Sequence, residues 1–159
     1  MTFMPAPRWI SRIALVIAGF LFAACAGAQS DDYTEAGKLL RGGQQAQALE
    51  RIDSFLKANP KDPRGRFLKG VILTEQSKQA DAGGKAAEAT SKQADAIKIF
   101  TGLTEDYPEL PEPYNNLAVL YASQGHYDKA RTALEMSIRT HPSYATAHEN
   151  LGDIYAKMA

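Results

Sequence analysis

The chain has 159 residues, 45% of them hydrophobic and 23% charged, a composition that suits one compact domain or a short stack of repeated units and argues against disorder. Its 18 basic and 18 acidic residues balance, so the electrostatic footprint of a nucleic-acid-binding protein is missing. The one cysteine, Cys25, excludes an intramolecular disulfide.

Residues 1–28 read differently from the rest. Arg8 and Arg12 precede an apolar run over 13–22, small residues fill 23–28, and Ala26-Gly-Ala28 fits the small-residue cleavage pattern, which predicts a secretory signal peptide over 1–28 and a mature chain from Gln29. The apolar run is short for a membrane span. Two of the basic residues and none of the acidic ones lie before residue 29, so the mature part is mildly acidic. A second reading stays open at the same place. Leu21-Phe-Ala-Ala-Cys25 resembles a bacterial lipobox, in which Cys25 would be acylated and tie the chain to a membrane, although Phe22 departs from the Leu, Val or Ile preferred there.

The remaining chain reads as helices near 31–41, 44–58, 63–82, 85–107, 112–124, 127–140 and 144–157, with no alternating segment that would favour a strand. Gly43 and Gly125 suit tight turns, and Asp62-Pro63 and Ser143-Tyr144 suit helix starts. Pro60, Pro108 and Pro142 each close a helical stretch. The last two stand 34 apart and the first two 48, a surplus of 14. Ala48, Ala96 and Ala130 precede those prolines by 12 residues, and Ile52, Phe100 and Leu134 follow the alanines by four. Gly70, Ala118 and Gly152 share another small position, with Leu73, Tyr121 and Tyr155 three residues on; Ala36 and Leu39 fill the same places in the first unit.

The surplus matches the spacing of a duplicated word, SKQADA, at 77–82 and 91–96. Only the second copy is in register with Phe100 and Pro108. The first is supernumerary, and its alanine-rich surroundings predict about two extra turns on each of two helices, with Gly83-Gly84 as the new turn and a hairpin about 10 Å taller than its neighbours. The tip is expected to be polar and thinly packed.

This 34-residue order of small, aromatic and proline residues, best seen in YNNLAVLYASQGHYDKARTALEMSIRTHP, resembles the tetratricopeptide repeat family over about Ser30–Ala159. The resemblance implies an all-α, right-handed solenoid of antiparallel helix-turn-helix units over 29–159: units at about 30–62, 63–110 with the 14-residue insertion, and 111–144, then a terminal helix at 145–158. That helix either caps the stack or expects a continuation. The resemblance also implies a concave groove that docks a peptide or protein partner, lined by Arg64, Phe67, Val71 and Thr74, then Glu112, Asn115, Asn116 and Val119, then Glu149, Asn150 and Asp153. Asn116 and Asn150, 34 apart, are expected to lie one above the other.

Chemistry is sparse. The three histidines have no metal-ligand spacing, the glycine pairs lack the Lys-Ser or Lys-Thr of a phosphate loop, and no serine sits in a nucleophile elbow. The expectation is therefore a scaffold without catalysis, metal or cofactor, periplasmic or secreted. The alternative is a lipid-anchored assembly factor of an envelope, pilus or secretion machine, held to the membrane only at Cys25.

Overall fold

A computed structural model describes residues 32–159. The signal peptide expected over residues 1–28, and Cys25 with it, lie outside the described residues. Among the described residues seven helices follow one another: α1 (32–41), α2 (Gln45–Ala58), α3 (Pro63–Ala82), α4 (Ala86–Asp106), α5 (Pro111–Ser123), α6 (Tyr127–Thr140) and α7 (Ala145–Met158). No strand occurs among the described residues, and no helix there is long and apolar enough to cross a membrane. The helices pair as antiparallel hairpins, α1–α2, α3–α4 and α5–α6, each stacked on the next, with α7 laid against the last.

Two kinds of turn repeat along the stack, and each explains a marker residue. Inside each hairpin a glycine, Gly43, Gly84 or Gly125, holds φ between 73° and 75°, where a Cβ would be strained. The residue after it, Gln44, Lys85 or His126, donates its N–H to the carbonyl of Leu39, Ala80 or Tyr121 at 2.8–2.9 Å, closing the first helix with a Schellman-type cap. Between hairpins, Asp62, Leu110 and Tyr144 donate to the carbonyls of Asn59, Tyr107 and His141 at 3.0–3.1 Å. The periodic prolines occupy the second position of these turns, where their fixed φ is already correct.

Helix starts are less uniform. Asp62 caps α3, its carboxylate accepting from the Gly65 N–H at 2.9 Å, with Pro63 opening the helix. Ser143 does not cap α7: its hydroxyl pairs with His141 Nδ1 at 3.3 Å, and the helix starts after Tyr144 without a side-chain cap. α5 begins at Pro111, one residue before the sequence expectation, because a proline tolerates the first helical position, where its missing N–H goes unused.

Burial raises the Asp62 pKa, but the hydrogen bonds from Arg64 and from the Gly65 N–H outweigh it and hold the carboxylate below its usual range. A depressed folded-state pKa contributes stability above the unfolded-state value, and that stability is lost as pH falls through the folded one. Asp62→Ala is expected to cost about 1 kcal/mol near neutrality. In urea unfolding series the gap to the parent should narrow below about pH 3.9.

The duplicated segment forms the tall hairpin. α3 and α4 have 20 and 21 residues against 13 and 14 for α5 and α6. The seven extra residues on each helix add about 10 Å. Ala96 of the second SKQADA copy is fully buried, whereas Ala82 of the first is exposed, so the second copy carries the core register. Residues 81–88 are all exposed. Buried anchors in the added part include Ala80, Ala89 and Ser77, whose hydroxyl donates to the Ala89 carbonyl at 2.9 Å.

The core is one seam along the stack. Ala36, Ala48, Ile52, Phe55 and Ile72 join α1–α3, while Leu73, Phe100, Leu103, Leu117, Leu134 and Ile154 run from α3 to α7, and Leu49 packs against both groups. Small residues set how closely the helices approach. A Cβ on Gly70 would lie 2.7 Å from the Phe100 ring. Ser137, fully buried on α6, donates to the Pro111 carbonyl at 2.8 Å and ties the two helices of its hairpin together.

Candidate functional site

The first helices of the units, α1, α3, α5 and α7, are those that the repeat resemblance puts on the inner face, and the repeat step aligns their positions. Tyr33, Phe67, Asn115 and Glu149 occupy one row; Val71, Val119 and Asp153 occupy another. Where α1, α3 and α5 converge, an apolar hollow of about 290 Å³ opens between Tyr33, Pro63, Phe67, Leu103, Leu110 and Pro113, with Arg64 and Glu112 also in its wall. Phe67 is fixed by an edge contact with Phe100, centroids 5.6 Å apart, and Tyr33 by a tilted contact with Phe55 at 5.5 Å. The Arg64 guanidinium lies over the Tyr33 ring at 5.5 Å and pairs with Asp62 at 3.1 Å. Burial, and then the Glu112 carboxylate, raise the Tyr144 phenol above its usual value.

Of the residues expected in the groove, the structure gathers Arg64, Phe67 and Glu112 at this hollow. Thr74 and Val119 meet elsewhere, in a notch of about 220 Å³ where α3 and α4 rise past the end of α5. Val119 is 39% exposed. Gln93 spans the edge of this notch: its amide donates to Ser123 Oγ at 2.6 Å, and its carbonyl accepts from Gln124 at 3.0 Å, so the tall hairpin is latched to the α5–α6 turn. Val71 is partly covered by the core. Glu149 and Asp153 are exposed on α7.

The asparagine pairing differs from the expectation. Asn150 donates to the Asn115 carbonyl oxygen at 2.9 Å, 35 residues away, and Asn115 is buried. Asn116 instead donates to the Glu112 carbonyl of its own helix at 2.9 Å. Successive hairpins are rotated and shifted against one another, so residues in contact need not be those 34 apart. Asn115 serves the α5–α7 junction. Tyr33, Pro63, Leu103, Leu110 and Pro113 were missed as site residues by sequence reasoning; Tyr33 carried a usable signal, since it precedes Phe67 by 34.

No group of three or more His, Cys, Asp or Glu residues could hold a metal among the described residues, and the chain carries no catalytic motif.

A family profile described as tetratricopeptide repeat matches residues 33–97, and one described as TPR repeat matches 120–158. The tetratricopeptide repeat domain-containing protein PYG7, chloroplastic, of Arabidopsis thaliana is 40% identical over 62 residues, 39% of this chain and 20% of that protein. The chain spans about a fifth of the length of the curated relatives it matches. Among solved structures, YrrB, described as a TPR protein with an unusual peptide-binding site, superposes with a TM-score of 0.62 at 21% identity, over 82% of this chain and 57% of that one. The Yersinia enterocolitica type III secretion chaperone SycD, in complex with a peptide of the translocator YopD, gives 0.65 at 13% identity, over 82% and 94%.

Proposed function

From the premise that the chain is a tetratricopeptide-repeat solenoid, we propose that it is an exported scaffold whose inner face docks a peptide segment of a protein partner, with no bond made or broken. One observation carries the reading: the inner face is not uniformly solvated but opens, between three successive first helices, into an apolar hollow with a cation and an anion in its wall. Such concave, mostly apolar sites with a few polar groups are what binding pockets generally share. The description of two similar folds as peptide-binding supports the same use. Export rests on the signal-peptide pattern of residues 1–28. The rival reading, a lipid-anchored assembly factor, rests on Cys25 and would use the same solenoid as a spacer.

A photo-crosslinking amino acid placed at Arg64, exposed at the hollow, is expected to form adducts in cells that the same group at Lys98, exposed on the second helix α4, does not form. An excess of purified unlabelled chain should suppress them. Indistinguishable adducts from the two positions would remove the groove from the proposal.

A further inference from the structure

The charge left unpaired along the inner face says what kind of segment it fits. All four bases of α3 are already engaged: Arg64 with Asp62, Arg66 with Asp106, Lys69 with Asp53 and Lys78 with Glu75. Glu112, Glu149 and Asp153 make no ion pair among the described residues and stand exposed on α5 and α7. Glu112 is shared, since it also lines the apolar hollow. Going from the hollow toward α7, the groove therefore changes from apolar to net acidic, with three carboxylates against one base, Lys157, a turn beyond Asp153 on the same face of α7.

We infer that the groove takes a basic segment carrying one bulky apolar side chain, which rests on the peptide-docking reading above and gives it a chemistry. The apolar side chain enters the hollow between Tyr33, Phe67 and Pro113. At about 290 Å³ the hollow lies near the lower end of the usual range for ligand pockets, roughly 300–1,000 Å³, which suits a single leucine- or phenylalanine-sized group rather than a cofactor. Lysines or arginines beside it meet Glu112, Glu149 and Asp153. An acidic segment would face those three carboxylates with Arg64 and Lys157 in its favour, and Arg64 is held by Asp62. Charge of this kind mainly selects the partner and speeds its arrival, while the buried apolar group sets its register.

Fluorescence anisotropy on the purified chain, with labelled peptides each holding one phenylalanine flanked by lysines, by serines or by glutamates, tests this. The lysine peptide should bind about tenfold more tightly than the serine peptide at low salt, given the modest strength of each exposed ion pair. The advantage should shrink as salt screens it. Replacing its phenylalanine by alanine should cost about tenfold as well. The triple variant Glu112→Gln, Glu149→Gln, Asp153→Asn changes only exposed side chains and should bring the lysine peptide down to the affinity that the serine peptide has for the parent chain. Equal or tighter binding of the serine or glutamate peptide would overturn the basic-segment inference while leaving peptide docking in place. Absence of binding by all three would overturn both.

Discussion

Phe100→Ala is expected to lower the unfolding free energy by about 3–5 kcal/mol, the range for truncating a buried aromatic ring. The ring is fully buried, lies on the backbone of α3 at Gly70 and meets the edge of Phe67, so the two helices of the tall hairpin close around it. Its removal leaves a void that neighbours on two rigid helices fill poorly. The same contact predicts the reciprocal change. Gly70→Val would place a Cβ 2.7 Å from the ring, which cannot rotate away because Phe67 and the core seam hold it, and the overpacking should cost about 1–3 kcal/mol. Combined, the two substitutions should destabilise less than their sum, because the valine occupies part of the emptied space. Gly152 provides the internal control. It holds the same repeat position on α7, yet no atom lies within 4 Å of a Cβ built there. Gly152→Ala should therefore gain up to about 1 kcal/mol of helix propensity. Urea and thermal unfolding of the four variants reads all of this. A Gly70→Val chain as stable as the parent would contradict the packing described for the tall hairpin.

What was legible in the sequence is what the period encodes. Glycines with left-handed backbone, prolines at the second position of a turn and alanines at helix crossings are each required by geometry that recurs in every unit, so they recur too. The register of the duplicated word was readable for the same reason: four residues after Ala96 comes Phe100, four after Ala82 only Ala86, and burial follows that difference. The site was legible only in part. Arg64, Phe67 and Glu112 fall in the aligned rows, but Leu103 comes from a second helix and Leu110 from a turn, and their convergence depends on how far one hairpin is rotated against the next. Ser143 failed as a cap because a histidine two residues back competes for its hydroxyl. The spacing of 34 pairs Asn150 with Asn116, whereas the hydrogen bond joins it to Asn115, one residue away, because successive hairpins are rotated against one another.

That one-residue shift has an energetic consequence. Asn150→Leu should destabilise the chain by about 1–3 kcal/mol, the usual range for stranding a buried polar group, because the side chain of Asn115, only 6% exposed, would lose its partner at the α5–α7 junction. The double variant Asn115→Leu, Asn150→Leu removes both amides and puts two apolar groups of similar size in contact, so it should recover most of that loss or exceed the parent. Asn116→Leu, whose amide only reaches back to the Glu112 carbonyl on the surface of α5, should stay within about 0.5 kcal/mol of the parent. Because α7 meets the stack through α6 and α5, and the amide pair lies at the second of these contacts, the loss should be local. Amide exchange over 145–158 should accelerate in Asn150→Leu and slow again in the double variant. If the single and double variants exchange alike there, the amide pair does not hold α7 in place, and the packing of Ala147 and Ile154 against the core accounts for its position alone.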